Sequence, residues 1–506
     1  MYRNVLAAMA VMMLAACAAE TGEGVASNAA ADPENETSSD AQQTASARTD
    51  RSDVDEGPVR PPTDPFPSTY EPYPSETLLI TGATVLTGAG QRIDNGAVLI
   101  AEGKIASVGE AGAISAPDGA VTLDAAGKWV TPGIIDIHSH LGDYPSPSTD
   151  STSDGNEATD PNTAEVWAEH SVWPQDAGFT RALAGGVTAL QILPGSANLF
   201  GGRSVVLKNV PARTVQGMKF PGAPYGLKMA CGENPKRVYQ NTGPATRMAN
   251  FSHYRRAWIE ATAYKKSWDD YWADYEEWDG GDEADKPSAP DRDLTMETLA
   301  GVLNGDILVN MHCYRADEMV QVLDMAREFG YKVASFHHAV EAYKIADYLA
   351  EEGICAAVWS DWWGFKLEAF DTVRENAALI HAQPNGCSVI HSDDEHGIQR
   401  LNQETAKAMS DGRRMGLDIP HEVAIEWITS NAAKAMGIDD VTGSLETGKM
   451  ADVVIWDRDP FSVYAKAEKV FIDGALLYDR DDSARSPRVD FEIGQRGNGF
   501  TGGAGQ

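Results

Sequence analysis

The chain has 506 residues, of which 42% are apolar and 8% aromatic, and a formal charge of −34. That length accommodates a large domain plus a smaller one. A charge of that sign and size argues against nucleic acid or an anionic membrane surface as a partner and serves solubility.

At the N-terminus, Arg3 precedes the apolar stretch Val5 to Ala16 and then Cys17. The stretch is too short to span a bilayer as a mature helix. Leu14-Ala-Ala-Cys17 resembles a bacterial lipoprotein signal, in which Cys17 becomes the lipidated first residue. The alternative is an ordinary signal peptide cut after Ala-x-Ala. Acyl chains on Cys17 give a membrane anchor without a spanning helix. Ala18 after the cysteine resembles the Gram-negative pattern for outer-membrane sorting, facing periplasm or cell surface. Residues 18–75 are rich in Ala, Ser, Thr, Asp, Glu and Pro, cannot bury enough surface to offset their ordering entropy, and are expected to form a tether. Its end, Pro61-Pro-Thr-Asp-Pro-Phe-Pro67, is stiffer.

Leu78–Leu86 and Ala97–Val108 have the texture of short strands with Gly turns, repeated near the other end by Ala451–Trp456 and Val470–Tyr478. The two ends are therefore expected to join as one discontinuous β-sandwich, residues 76–130 plus 440–480, flanking a central domain over 131–439; residues 481–506 form a tail.

The central domain opens with the apolar run Trp129–Ile135, followed by Asp136-Ile-His-Ser-His140. On a strand, His138 and His140 share a face and can hold one divalent metal. A polar stretch from Gly142 to Asn162 follows, then a strand over Ala184–Leu193 and the small-residue loop Pro194-Gly-Ser-Ala-Asn198. That loop suits either close backbone approach to a substrate or plain turn chemistry. The segment from Met248 to Trp278 has a helical pattern with Trp258, Trp268, Trp272 and Trp278; it reads as a helix packed over the domain, or alternatively as a substrate lid. Three more apolar runs end in chemistry-bearing residues: Ile307–His312, Lys332–His337-His338, and Val389-Ile-His391-Ser-Asp393. Helical patterns separate them, as in Met319, Val322, Leu323 and Ala326 before Gly330. Alternating strands and helices imply parallel βα units, and a β/α barrel gathers strand C-termini at one mouth. Cys231, Cys313, Cys355 and Cys387 lie in or beside apolar runs and are expected to be buried free thiols.

Taken in order, these motifs resemble the metal-dependent amidohydrolase superfamily, in particular the imidazolonepropionase-related group. The pieces are Thr131–His140, Gly185-Gly-Val-Thr188, Pro194–Asn198, Lys228–Lys236, His312-Cys-Tyr-Arg315, His338-Ala-Val-Glu-Ala-Tyr343, His391-Ser-Asp393 and Gly443–Asp452. The resemblance covers residues 76–480 and implies an α/β fold, a (β/α)8 TIM-like barrel with a β-sandwich, and one or two divalent metals, zinc by default. It implies His138, His140, His312, His338 and Asp393 as metal ligands, with His337 competing with His338. A bridging ligand comes from Lys228, carboxylated by CO2, or from Glu233; a buried bare lysine is costly, which favours Lys228.

The implied chemistry is hydrolysis of a C–N bond in an amide, cyclic amide or dipeptide by a metal-activated hydroxide. In it Asp393 moves protons, Tyr314 or His391 steadies the oxyanion, and Arg315, Asn198 and Tyr314 bind substrate. Arg315 reads equally as a surface residue at a helix start. Histidine breakdown is cytoplasmic, so an exported chain points away from imidazolonepropionase activity itself. Deamination of a ring amidine by the same chemistry, or ligand binding on an inert barrel, are the alternatives. A homo-oligomer is compatible with the sequence, which sets no subunit count.

Overall fold

The computed structural model describes residues 64–146, 148–362 and 364–485. Cys17 and the signal segment lie outside these residues, as does most of the expected tether. No helix among the described residues is long and apolar enough to cross a membrane.

The first five strands, β1 (Leu78–Leu86), β2 (Arg92–Ala101), β3 (Lys104–Glu110), β4 (Val121–Asp124) and β5 (Trp129–Pro132), come from the N-terminal side. Eight follow in the central region: β6 (Ile134–Ser139), β7 (Val187–Ile192), β8 (Phe200–Lys208), β9 (Tyr225–Ala230), β10 (Ile307–His312), β11 (Val333–His337), β12 (Cys355–Val358) and β13 (Cys387–Ile390). Three more, β14 (Val453–Trp456), β15 (Ala467–Ile472) and β16 (Ala475–Asp479), close the chain. Both ends share one mixed sheet in the order β16-β15-β14-β5-β1-β2-β3, with β4 also paired to β1. Its apolar face, including Ile80, Val85, Val98, Ile100, Val130, Val453 and Ile455, forms a separate small core.

The central strands form a TIM-like β/α barrel, hydrogen-bonded in sequence order from β6 to β13. The seam between its ends is bridged where Asp393 N–H donates to His138 O (3.0 Å). There the Ser392 hydroxyl also donates to Asp136. The strands are buried on both faces, as the continuous apolar runs required. One strand departs from the expected parallel pattern: β8 runs antiparallel to both β7 and β9. Only residues 193–199 separate β7 from β8, too short a connection for the helical crossover a parallel pair needs.

A polar thread replaces apolar packing along part of the barrel interior. Gln191 Nε2 donates to Ser204 Oγ (2.9 Å) and Asn310 Oδ1 (3.3 Å), and Asn310 Nδ2 in turn donates to Ser335 Oγ (3.1 Å). Glycine at position 226 makes room for it, since a Cβ there would stand 2.1 Å from Asn310 Oδ1.

Two expectations are corrected. The four cysteines are not free thiols: Cys231 pairs with Cys313, and Cys355 with Cys387. Their runs lie on adjacent strands, which brings thiols distant in sequence side by side, a proximity that spacing alone does not reveal. A bond closing 82 residues is worth about 2–4 kcal/mol through the unfolded state. The tether also ends earlier than residue 75. Phe66 packs edge-on against Trp167, Tyr73 OH donates to Pro211 O (2.5 Å), and Ser68 Oγ donates to Lys219 O (2.6 Å). With Tyr70, whose OH donates to Asp473, these side chains strap residues 64–75 to the folded body.

The aromatic segment is a 32-residue helix, Arg247–Trp278. Tyr254 and Trp258 in its first half are buried against Phe200, and Trp258 stacks on Tyr331. This is the packed helix the pattern favoured.

Candidate active site

His138 and His140 leave the end of β6 on one face, as strand alternation demands. Register then aligns the later strands: Lys228 of β9 lies opposite Asn310, and His312 of β10 opposite His337 of β11. Immediately after β11 and β13, His338 and Asp393 take left-handed backbone, each with φ 57°. Such turns are uncommon outside glycine, although His and Asp adopt them more readily than most, and they concentrate where geometry serves function. They swing both side chains into the mouth. The sharp turn explains how consecutive histidines differ in role: His337 stays in the barrel interior while His338 joins the mouth.

Hydrogen bonding fixes the imidazole tautomers. His140 Nδ1 lies 2.8 Å from Leu193 O, and a carbonyl can only accept, so Nδ1 carries the proton. His391 Nδ1 donates likewise to Val358 O (3.0 Å), leaving Nε2 to accept from His338 Nδ1 (2.8 Å). His337 sits between Ser335 Oγ, 2.7 Å from its Nε2, and His138 Nδ1, 2.7 Å from its Nδ1. Lys228 Nζ, 3.4 Å from His138 Nε2, donates there, so His138 carries its proton on Nδ1 and donates to His337, which donates on to Ser335. The Nε2 atoms of His138, His140 and His338 converge on Asp393 at 3.4, 3.2 and 3.8 Å.

Burial keeps this cluster uncharged. His138, His337 and His338 are held well below the ordinary imidazole value by desolvation, with Lys228 and neighbouring histidines adding to it. His391 is pushed down to about 4, again by burial first. Lone pairs of the neutral His138 and His338 aimed at a carboxylate are repulsive, and a cation among them removes the repulsion. Nitrogen and carboxylate donors of this kind suit a divalent transition metal. Ligand atoms of His138, His140 and Asp393 lie within 4.8 Å of one another. The residues therefore fit a metal.

Lys228 lies on the same spot, fully buried, with Nζ 2.9 Å from Pro194 O and 3.4 Å from His138 Nε2. Desolvation lowers its pKa to about 7, against the pull of Asp393. Asp136, beneath the histidines, has its carboxyl raised to about 7 by burial, and accepts from Ser392 N–H (3.2 Å) and His138 N–H (3.2 Å). It thus fixes both sides of the seam that carries Asp393.

The depressed imidazoles predict acid lability of metal-free protein. His391 binds a proton near pH 6.5 when unfolded but only near 4 when folded. The unfolded state therefore binds more protons below pH 6.5, and stability falls as pH drops through that window. At about 1.4 kcal/mol per unit, His391 alone contributes about 3 kcal/mol by pH 4. The expected result is a Tm that declines between pH 7 and 4, with a shallower decline in His391→Gln; identical slopes would remove His391 from this account.

A family model for the amidohydrolase family (Amidohydro_3) matches residues 387–478. An amidohydrolase of known structure from Thermotoga maritima MSB8 is 34% identical, covers 80% of this chain and 100% of its own, and superposes with a TM-score of 0.70. The chain belongs to the amidohydrolase family. Amidohydrolase tasK of Hapsidospora irregularis is 32% identical over 402 residues, 76% of this chain and 40% of that one. The chain thus spans less than half the length of that curated relative. Imidazolonepropionase of Rhizobium rhizogenes is 25% identical over 73% of this chain and 88% of its own.

Not every expected residue of this amidohydrolase reaches the cluster. Glu233 starts a short helix, and its carboxylate faces Lys366 Nζ at 3.9 Å. His312 stands beside the cluster, with its ring 4.9 Å from that of His338. Its nitrogens meet Ser196 Oγ (3.0 Å) and Asn234 Nδ2 (3.4 Å). Arg315 forks onto Asp317 in two bonds of 2.9 Å at the start of the helix Ala316–Phe329. Asn198 turns away from the mouth and secures the loop after β6, donating to Glu157 O, Asp160 O and Thr163 Oγ1. Neutral His391 spends both nitrogens on Val358 and His338, so it orients His338 and has no donor left for an oxyanion. Tyr314 lies in the wall of the mouth with its ring 4.6 Å from His312.

Sequence reasoning missed Ser196, although the loop holding it was singled out, and Trp359, which stacks on both His338 and His391. It also passed over His337 as an orienting residue. Adjacent histidines were the available signal.

Proposed function

We propose that this amidohydrolase is an exported, metal-dependent hydrolase of a C–N bond in a small amide, cyclic amide or dipeptide. The observation that carries the reading is the convergence of three imidazole Nε2 atoms on Asp393. His138, His140, His338 and Asp393 would hold the metal, zinc as the default, with Lys228 as the bridge to a second one. A metal bound there supplies a lowered water pKa and Lewis-acid polarisation of the substrate carbonyl.

The remaining work belongs to the chain. Asp393, about a quarter exposed, is reachable by solvent, accepts the proton of the attacking water and returns it to the leaving nitrogen. Tyr314 faces the substrate from the wall. His391, His337 and Asp136 hold the reacting groups in place. Lys228, its pKa near 7, is largely a free amine at slightly alkaline pH. That amine can add CO2, forming an N–C bond and releasing one proton, to give a carbamate of the charge a bridge requires.

Export rests on the N-terminal signal and its Cys17, and two disulfides support it, since such bonds persist in oxidising compartments. A lipid at Cys17 is the proposed membrane contact.

Elemental analysis of purified protein, followed by assay of dipeptides, N-acyl amino acids and ring amidines, tests the proposal. Activity should vanish with a chelator and return with a divalent metal. Release of an amine supports amide hydrolysis, whereas ammonia would move the assignment to deamination. Metal-free protein without hydrolysis, before and after metal addition, would leave only a binding role.

A further inference from the structure

Resting on the hydrolytic reading above, we infer that the Ser196 hydroxyl is a catalytic hydrogen-bond donor. It binds the carbonyl oxygen of the scissile amide and stabilises the negative charge that builds there.

The direction of one hydrogen-bond chain carries the inference. Lys366 Nζ lies 2.8 Å from Asn234 Oδ1, and an ammonium can only donate, so the Asn234 carbonyl faces it. The other end of that amide is thereby turned to His312, with Nδ2 3.4 Å from Nε2. An amide NH2 also only donates, so His312 Nε2 carries a lone pair and the ring proton sits on Nδ1. His312 Nδ1 then donates to Ser196 Oγ across 3.0 Å. Ser196 spends a lone pair on His312 and keeps its own hydrogen, which no acceptor among the described residues takes. The residue is half-buried, so a substrate can reach its hydroxyl.

Ser196 stands at the mouth. Its loop, residues 193–199 between β7 and β8, touches the site at three places. Leu193 O accepts from His140 Nδ1 (2.8 Å), Pro194 O accepts from Lys228 Nζ (2.9 Å), and Ser196 meets His312, whose ring is 4.9 Å from that of His338. The loop is pinned on both sides of the serine. Gly195 N–H donates to Gly155 O (2.6 Å), and Ala197 N–H donates to Asn156 Oδ1 (3.2 Å). A Cβ at position 195 would stand 2.2 Å from Asn156 Nδ2, so glycine is required for these segments to meet. A donor held in this way needs little reorganisation as charge develops, which is what makes such donors effective.

Hydrolysis gives this donor its role. The water oxygen bonds to the carbonyl carbon, and the C=O π pair moves onto the carbonyl oxygen. When that pair returns, the C–N bond breaks and the nitrogen takes the proton held by Asp393. Ser196 keeps its own proton throughout and only hydrogen-bonds the charged oxygen. His391 has no donor to spare for that oxygen, and the small-residue loop supplies one. Asn234 and His312 are positioning residues, which turn the serine hydrogen away from the ring.

The test uses the full chain, N-acetyl-L-leucine as substrate and N-methylphosphonyl-L-leucine as its tetrahedral mimic. Ser196→Ala should lower kcat by on the order of 100-fold with little change in KM, and Ser196→Thr should restore much of it. The mimic should bind Ser196→Ala on the order of 10-fold more weakly than wild type. Asn234→Asp, whose carboxylate draws the His312 proton to Nε2, should reproduce the loss in kcat, and the double variant should lose no more than Ser196→Ala alone. Nitrogen-15 NMR of the wild type should show His312 protonated on Nδ1. Protonation on Nε2, or a kcat for Ser196→Ala within about twofold of wild type, overturns the inference while leaving hydrolysis intact. If wild type hydrolyses no amide, the hydrolytic reading is what fails. Calorimetry with the mimic then still decides the donor: weaker binding by Ser196→Ala supports it, and equal affinity, or no binding by either protein, overturns it.

Discussion

Asp393→Asn is expected to lower kcat/KM on the best amide substrate by on the order of 10^4-fold while leaving the fold intact. The carboxylate is where three Nε2 atoms meet, at 3.2 to 3.8 Å. An amide oxygen there neither accepts a proton usefully nor binds a metal as a charged ligand. The substitution spares the backbone: Asn tolerates the left-handed conformation at this position, and the bond from residue 393 N–H to His138 O remains. Circular dichroism and thermal melting check the fold, and stopped assays check turnover. Activity within tenfold of wild type would refute the role of Asp393 as proton carrier.

Lys228→Met should move activity and stability in opposite directions. Met fills similar volume without charge, and activity with bound metal should fall by on the order of 100-fold. In metal-free protein the same change should stabilise. The Lys228 ammonium loses its proton near pH 7 in the fold but near 10.5 when exposed. The unfolded state therefore binds more protons between those values, and wild-type stability rises with pH there. The benefit of Met is greatest at or below pH 7, at most roughly 5 kcal/mol, and fades toward pH 10. Chemical denaturation at pH 7 and 9.5, beside elemental analysis, reads both effects. A variant that is destabilised at pH 7, or one that retains full activity, would contradict the picture of a buried amine kept for chemistry.

Much of this site is legible in sequence because strand geometry is periodic. His138 and His140 share a face by alternation alone, and a histidine or aspartate ending an apolar run must stand at a strand tip. The same regularity pointed to the barrel. What stayed hidden depends on contacts between elements. Whether Glu233 or Lys228 enters the mouth turns on one chain reversal, with Gly232 at φ 77° sending Glu233 into a helix. Arg315 and Asn198 matched the motif positions, yet Asp317 and the loop carbonyls claim them. The thiols paired because neighbouring strands aligned them, and register is invisible to composition. The antiparallel β8 likewise follows from a connection length that was overlooked beside the stronger helical pattern later in the chain.

β5 is paired with β1 on one side and β14 on the other, so strands more than 300 residues apart share one ladder. Until Val453 leaves the ribosome, the β5 edge that β14 will cover presents unsatisfied amides and carbonyls. The small core that includes Val130, Val453 and Ile455 cannot assemble before then. The terminal sheet thus stays open along that edge for as long as residues 133–452 are being made.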